Sequence, residues 1–132
     1  MATLNDKQQQ FLDNPFVGVV TTLRPDGSPH STVVWVDQKN GEVSFNTAYG
    51  RAKPSNLEQD PRVSLVVIDP SDTYKWIAVD GRASLTTDGA DGQIDRLAKK
   101  YLGKDEYPWR KAVEERVTVK IDPVHVQAYG LD

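Results

Sequence analysis

The sequence predicts a small antiparallel β-barrel of six or seven strands with a few peripheral α-helices, in one domain that spans residues 1–132. Three observations predict this class. Segments rich in β-branched residues recur along the chain, and the turns between them have short hairpin chemistry, as at residues 24–29 and at Asn40-Gly41. One long strand also carries a glycine, Gly81, in its interior, which indicates a bulge that lets the strand wrap around a barrel.

Seven segments have the composition and the boundaries of β-strands. The predicted strands span residues 16–23, 30–37, 42–47, 62–69, 74–86, 115–121 and 124–129. Alternation within residues 42–47 places Phe45 and Thr47 on one face and Asn46 on the other. Closing these strands into a barrel removes the sheet edges that such a short chain would otherwise have to cover.

Four helices are predicted outside the barrel. They span residues 5–14, 54–59, 88–102 and 107–113. Asn5 is the predicted N-cap of the first helix, and Pro15 ends it. Pro54 suits the first position of the second helix, and Gly103 suits the end of the third, whose apolar residues share one face.

Composition excludes several classes of protein. The chain has no cysteine, so it has no disulfide, no thiol nucleophile and no thiolate metal site. Acidic and basic residues are interspersed with a net charge of −3, which argues against a nucleic-acid-binding protein. The start of the chain is polar, and no apolar run approaches the ~18 residues that span a membrane. We therefore expect a soluble cytoplasmic protein with no membrane partner and no metal site.

Residues 45–57 form the most informative segment. A strand ends there, and two cations, Arg51 and Lys53, precede a helix that Pro54 is predicted to begin. The backbone N–H groups of Ser55, Asn56 and Leu57 would then lack partners within the helix and carry the positive end of its dipole. Such an arrangement suits a phosphate or a carboxylate. The alternative is that the two cations are solvated charges on a surface loop.

The order of several short motifs resembles one known superfamily. The motifs are Thr-Leu at 22–23, Arg-Pro-Asp-Gly-Ser-Pro-His at 24–30, Val-Val-Trp at 33–35, Phe-x-Thr at 45–47, Arg-Ala-Lys-x-x-Asn-Leu at 51–57, Asp-Pro-Arg-Val-Ser-Leu at 60–65 and Val-Asp-Gly-Arg-Ala at 79–83. In this order they resemble the flavin- and deazaflavin-binding split β-barrel proteins, the pyridoxamine-phosphate-oxidase-like group. Within that group the chain most resembles the short actinobacterial reductases that depend on the deazaflavin coenzyme F420. The resemblance covers residues 10–129.

The resemblance implies a split barrel of the FMN-binding type and a homodimer with cofactor sites at the subunit interface. It matches the cofactor's phosphate to Arg51, Ala52, Lys53 and Asn56. It matches the ring and the ribityl chain to Asn46, Thr47 and Ala48. It places Trp76 and Ile77 near the cofactor bound by the other subunit, and Trp35 on a comparable face of the second strand. Ordinary packing stays open for both tryptophans and Thr47, as does a plain helix-surface position for Asn56.

The sequence carries no familiar arrangement of reactive side chains. It has no Ser-His-Asp spacing, no paired histidines for zinc, no P-loop and no Gly-x-Gly-x-x-Gly. The chemistry is then expected to belong to a cofactor, and no catalytic residue is predicted. By resemblance, F420 would deliver a hydride to a conjugated small molecule of the enone, quinone or tetrapyrrole type. The alternatives are an FMN-binding reductase or oxidase of the same fold and a non-enzymatic carrier of cofactor or ligand.

Overall fold

The computed structural model describes residues 2–131 and shows a seven-stranded antiparallel sheet that curls into a split barrel, with three helices packed against it. The strands are β1 (Gly18–Leu23), β2 (Pro29–Val34), β3 (Val36–Lys39), β4 (Glu42–Ala48), β5 (Arg62–Asp69), β6 (Asp72–Thr86) and β7 (Arg116–Tyr129). The helices are α1 (Asp6–Leu12), α2 (Ala52–Gln59) and α3 (Ala90–Leu102). The predicted fold class is confirmed. The terminal residues 1 and 132 lie outside the described part of the chain.

The two edge strands of the sheet are consecutive in the sequence. Its strand order is β2-β1-β5-β6-β7-β4-β3, so β2 and β3 lie at opposite edges although only Trp35 separates them in sequence. The chain therefore passes from one edge to the other at Trp35, and the sheet has to curl for this to happen. The prediction of one strand over residues 30–37 was therefore wrong. Two strands meet at Trp35, and they lie at opposite edges of the sheet.

The long pair β6–β7 carries the predicted bulge. The register between these strands shifts between Asp80 and Gly81, where a Cβ on residue 81 would collide with the carbonyl oxygen of Asp122. Two closing strands were predicted over residues 115–121 and 124–129, but β7 runs through both without a break. Pro123 lies opposite Gly81 at the shift, where its missing N–H is tolerated.

The barrel interior is a single apolar core. Buried side chains from all seven strands meet there, and Val20, Phe45, Leu65, Ile77 and Ile121 are among the least exposed. Burying each large apolar side chain contributes about 1.5–3 kcal/mol, so this interior is the main source of stability. The core fixes the strand ends that carry the polar side chains described below.

Two predicted helices differ from the observed ones. The second helix begins at Ala52 with Arg51 as its N-cap, so Pro54 is its third residue rather than its first. A proline fits there equally well because the N–H of the third helical residue also lacks a partner within a helix. The helix predicted over residues 107–113 was wrong, since residues 103–115 form turns and irregular chain. Tertiary contacts hold this stretch, beginning with the Tyr107 N–H, which donates to Asp95 Oδ1 at 2.9 Å.

The predicted start of α1 and the predicted end of α3 are confirmed. Asn5 caps α1, since its Oδ1 accepts from the Gln8 N–H at 2.9 Å while Gln8 Oε1 accepts from the Asn5 N–H at 3.0 Å. Gly103 follows α3 with a φ of 72°, a left-handed conformation that favours glycine. Within residues 2–131, none of the helices has the length and apolar character needed to cross a membrane.

Candidate functional site

A pocket of about 200 Å³ lies where the start of α2, the end of β2, the start of β7 and one face of α3 meet. Its walls are formed by Val33, Val34, Trp35, Asn46, Arg51, Lys53, Ile94, Leu97, Tyr107, Trp109 and Arg116. Four residues predicted for the site are therefore brought together: Arg51, Lys53, Asn46 and Trp35. They come from different elements, which the curled sheet gathers at one end.

Arg51 and Lys53 form the cationic corner of the pocket. Arg51 is half exposed, and its Nη2 lies 3.2 Å from Glu114 Oε2. Lys53 is more enclosed, and its Nζ donates to Thr32 Oγ1 at 3.1 Å. Burial, and then the charge of Arg51, lower the pKa of Lys53 below its ordinary value of 10.5. A partly buried ammonium of this kind is stabilised when an anion approaches it.

The start of α2 adds backbone donors to the cations. Because the helix begins at Ala52, the N–H groups of Ala52 and Lys53 lack partners within the helix and carry its positive end. The sequence had instead suggested the N–H groups of Ser55, Asn56 and Leu57, because the helix was predicted to begin at Pro54. The Arg51 N–H donates to the Ala48 carbonyl at 3.3 Å, so the end of β4 fixes the turn that presents the cations.

Asn46 is held in one orientation by a buried network that sequence reasoning missed. Its Nδ2 donates to the Ala90 carbonyl at 2.8 Å and to Gln93 Oε1 at 3.0 Å. Gln93 makes further hydrogen bonds in the same network. Its Oε1 also accepts from Thr118 Oγ1 at 2.8 Å, and its Nε2 donates to Ser44 Oγ at 2.9 Å. With both Asn46 donors in use, its buried Oδ1 is left as an acceptor with no partner among the described residues.

The signal for Gln93 was present in the sequence. Gln93 lies in the apolar stripe of α3 together with Ile94 and Leu97, and its side chain is only 3% exposed. A polar residue within a buried stripe indicates a hydrogen-bonded partner in the core. The sequence did not show which strand residues it would meet, since Asn46 and Thr118 are far from it along the chain.

Three aromatic side chains, Trp35, Tyr107 and Trp109, form part of the pocket wall. Trp35 stacks on Tyr101 with centroids 5.4 Å apart and meets Tyr107 edge-on at 6.1 Å, and Trp109 also meets Tyr107 edge-on at 5.7 Å. The Tyr101 hydroxyl donates to the Phe16 carbonyl at 2.7 Å. Burial raises the pKa of Tyr101 to about 12, so its hydroxyl stays protonated near neutral pH.

Arg116 is a third cation of the pocket, and the sequence analysis did not select it. Its side chain is only 5% exposed, its Nε lies 3.2 Å from Glu114 Oε1, and its guanidinium lies 4.7 Å from the centroid of the Tyr107 ring. Glu114 therefore touches both arginines of the pocket, one through each carboxylate oxygen. The available signal was an arginine at the start of an apolar strand directly after Glu114 and Glu115.

The other predicted site residues do not line the pocket. Thr47 faces the barrel interior, fully buried and with Oγ1 unpartnered among residues 2–131. Asn56 is also buried, and its Nδ2 donates to Thr22 Oγ1 at 3.0 Å. Ile77 belongs to the core, and Trp76 stacks on Tyr129 on the outer side of the sheet with centroids 6.5 Å apart. Together with Ala52 and Ala48, their assignment to the cofactor stays a prediction.

Comparison with known proteins adds independent information. The family described as pyridoxamine 5'-phosphate oxidase matches residues 4–130. An F420H(2)-dependent biliverdin reductase from Mycobacterium tuberculosis (strain CDC 1551 / Oshkosh) is 29% identical over 119 residues, which are 86% of this chain and 84% of that protein. The solved structure of an F420 reductase is 27% identical, with a TM-score of 0.81 over 94% of this chain and 98% of that one.

A further solved structure shows the same fold at lower identity. A conserved hypothetical protein of Mycobacterium tuberculosis is 22% identical, with a TM-score of 0.76 over 98% of this chain and 86% of that one. The family match covers nearly all of the described chain, and the seven-stranded split barrel agrees with it. The chain thus belongs to the pyridoxamine 5'-phosphate oxidase family, in the split-barrel superfamily that includes the F420 reductases.

Proposed function

We propose that this protein is an F420-dependent reductase that acts on a conjugated small-molecule acceptor. The observation that carries the proposal is the pocket itself, in which Arg51, Lys53 and the start of α2 form a cationic corner and Trp35, Tyr107 and Trp109 form an aromatic wall. A phosphorylated cofactor with a flat ring needs these two surfaces. The F420H(2)-dependent biliverdin reductase and the F420 reductase among its relatives support the choice of F420.

The residues of the pocket fit such a cofactor. Arg51 and Lys53 would bind its phosphate, together with the free N–H groups at the start of α2. The unpartnered Asn46 Oδ1 would accept a hydrogen bond from a ring N–H, and Trp35 would pack beside a flat ring. When bound, the reduced deazaflavin supplies a hydride to the acceptor. The protein's part is to orient both molecules and to exclude water.

FMN is the second candidate cofactor. Its phosphate monoester carries close to two negative charges at neutral pH, and three cations around the pocket suit such a group. Its ring and ribityl chain would use the same residues as those of F420. A carrier that holds its ligand without turning it over would use them too, so turnover has to be measured directly.

We further propose that the protein is a homodimer. Val19, Val33, Val66 and Ile68, here called the outer apolar patch, are each at least 40% exposed on the outer face of β2, β1 and β5. Val33, Val19 and Val66 are direct cross-strand neighbours, so they form one continuous row. Val33 also lines the pocket, and a second copy seated on the patch would therefore reach the pocket rim.

Titration with F420 and with FMN tests the cofactor proposal. Trp35 and Trp109 lie in the pocket wall, so binding is expected to quench the intrinsic tryptophan fluorescence. Arg51→Ala with Lys53→Ala should weaken the affinity by roughly 100-fold or more, because two charge-assisted contacts are lost. Thermal unfolding of the double variant serves as its folding control. Saturable binding of FMN without binding of F420 would contradict the F420 assignment, and unchanged affinity of the double variant would place the phosphate elsewhere.

A further inference from the structure

Arg116 is buried but uses little of its hydrogen-bonding capacity. A guanidinium has five N–H donors, and a buried charge is costly unless it is paired and hydrogen-bonded. Within residues 2–131, the structure gives Arg116 one carboxylate contact, through its Nε to Glu114, and no hydrogen bond from its terminal nitrogens to protein atoms. A side chain that is only 5% exposed therefore lines the pocket with most of its donors unused.

The charges around the pocket do not balance. Arg51, Lys53 and Arg116 contribute three positive charges to its walls, and Glu114 is the one carboxylate that contacts them in the described part of the chain. Like charges this close repel each other, and an incoming anion would relieve that repulsion. The walls are thus complementary to a ligand with more than one negative group, or with one doubly charged group.

Glu114 holds the two arginines from outside the pocket. Its Oε2 contacts Arg51 Nη2 at 3.2 Å and its Oε1 contacts Arg116 Nε at 3.2 Å, but Glu114 is not among the residues of the pocket wall. The Tyr107 ring covers one face of the Arg116 guanidinium. These two contacts hold the guanidinium at its Nε and against the Tyr107 ring, and its terminal nitrogens have no protein partner within residues 2–131.

We propose that Arg116 binds an anionic group of the pocket ligand, a carboxylate or a phosphate, and that Glu114 positions Arg116 for this task. The proposal rests on the proposed function only in assuming that an anionic ligand enters this pocket. The anionic group can belong to the cofactor, as its phosphate, or to the hydride acceptor, as a carboxylate on a conjugated molecule. Both sources present the planar or tetrahedral oxygen set that a guanidinium recognises with two parallel hydrogen bonds.

Binding measurements with Arg116 variants test the first half of the proposal. Arg116→Lys keeps the charge but loses the paired donors, and Arg116→Gln loses both. We expect roughly a 10- to 100-fold loss of affinity for inorganic phosphate or for F420 in Arg116→Gln, and a smaller loss in Arg116→Lys. Lys111→Gln is the matched control, because it removes the same charge from an exposed residue outside the pocket wall. If Arg116→Gln does not fold, the affinity of Arg116→Lys is compared with those of the wild type and Lys111→Gln instead.

Two further probes identify the source of the anion. A loss of F420 affinity with unchanged affinity for the deazaflavin riboside that lacks the phosphate assigns Arg116 to the cofactor. Unchanged F420 affinity, together with a raised KM for an acceptor carboxylic acid but not for its methyl ester, assigns Arg116 to the acceptor. If wild type and both Arg116 variants bind phosphate and F420 equally well and share the same KM, the inference is overturned. Absence of any anion binding by the wild-type protein overturns it as well.

Glu114→Gln tests the positioning half. Removing a negative charge should strengthen anion binding if charge alone mattered, and Glu115→Gln measures that effect one residue away. We expect Glu114→Gln to weaken binding several-fold instead, and to weaken it less in the Arg116→Gln background, where only the contact of Glu114 with Arg51 is left to lose. Equal or tighter binding in Glu114→Gln overturns the positioning role. Arg116-dependent phosphate binding without F420 or FMN binding would refute the proposed function while leaving this inference standing.

Discussion

Lys53 shows how one residue combines two opposed requirements. Its side chain is partly buried, which disfavours the charged form, yet anion binding needs that charge. The hydrogen bond to Thr32 Oγ1 holds the ammonium in place at the pocket rim without neutralising it. A bound anion should therefore stabilise the charged form of Lys53, and the affinity for that anion should depend on pH.

The affinity for an anionic ligand is expected to fall at alkaline pH. Burial lowers the pKa of Lys53 in the free protein, and a bound anion favours the protonated form. Affinity should therefore be flat near neutrality and fall as pH rises through the lowered pKa, starting below 10.5. Arginine stays charged throughout this range, so Lys53→Arg should remove the fall. Fluorescence titrations between pH 7 and pH 10.5 give both profiles, and superimposable profiles would contradict this account of Lys53.

At the scale of elements, residues 103–115, here called the flap, form a wall of the pocket without being a helix. Asp95 on α3 holds the flap, since its Oδ1 accepts from the Tyr107 N–H at 2.9 Å and from Arg110 Nη2 at 2.6 Å. The backbone hydrogen bond from Tyr107, and then the hydrogen bond from Arg110, lower the pKa of Asp95. These contacts explain why the aromatic wall is ordered in an irregular segment.

Asp95→Asn is expected to loosen the flap while leaving the barrel intact. The folded-state pKa of Asp95 is lowered, so its stabilising contribution is complete above the ordinary value of 3.8 and is lost as pH falls through the lowered one. At neutral pH the variant should therefore show the full effect. Hydrogen exchange should become several-fold faster in residues 104–113, with β5 and β6 unchanged. Asp88→Asn, an exposed change just before α3, is the control. Unchanged exchange in the flap would refute the role of Asp95.

Two glycines give a matched comparison of element geometry. Gly81→Ala would force a Cβ against the backbone of Asp122 and should destabilise the protein by about 1–3 kcal/mol. Gly92 lies within α3 with open space around its Cα, so Gly92→Ala should stabilise by about 0.5–1 kcal/mol. Urea unfolding measures both free energies. Equal effects of the two substitutions would mean that the bulge at Gly81 is not as tight as described.

At the scale of the whole molecule, the homodimer is the proposal with the widest consequence. Val66→Lys places a charge in the centre of the outer apolar patch and should convert the dimer into a monomer in analytical ultracentrifugation. F420 affinity should fall with it, because the partner would reach the pocket rim. Val113→Lys is the control, since Val113 is 97% exposed and lies off the patch. A wild-type monomer, or a dimer that survives Val66→Lys, would contradict this interface.

The sequence predicted most of the fold because its signals are local. Turn chemistry at Asn40-Gly41 and the cap at Asn5 act through their immediate neighbours, and the glycine at 81 indicates a bulge by its own missing side chain. The structure confirms the hairpin, the helix start and the bulge. The division of one predicted strand at Trp35 was missed because it depends on barrel closure, which no local signal records. Local patterns likewise cannot show that residues 107–113 are held by Asp95.

The site was predicted in part for the same reason. Arg51 and Lys53 are adjacent to a helix start, so a short motif reveals them. Gln93 and Arg116 act through partners far away in sequence or through the pocket as a whole, and they appear only once the strands are in register. Thr47 faces the barrel interior because it shares a face with Phe45. The sequence showed that Thr47 and Phe45 share a face of the strand, but it did not show which face the pocket lies on.

The central proposal is that reduced F420 gives up a hydride in this protein to a conjugated acceptor. The most direct measurement follows the oxidation of reduced F420 by absorbance, with catalytic amounts of protein and a panel of enones, quinones and tetrapyrroles. The account predicts turnover with at least one acceptor, and loss of that turnover in the Arg51→Ala, Lys53→Ala double variant. Tight binding of F420 with no protein-dependent oxidation by any acceptor in the panel would contradict a reductase and leave a carrier.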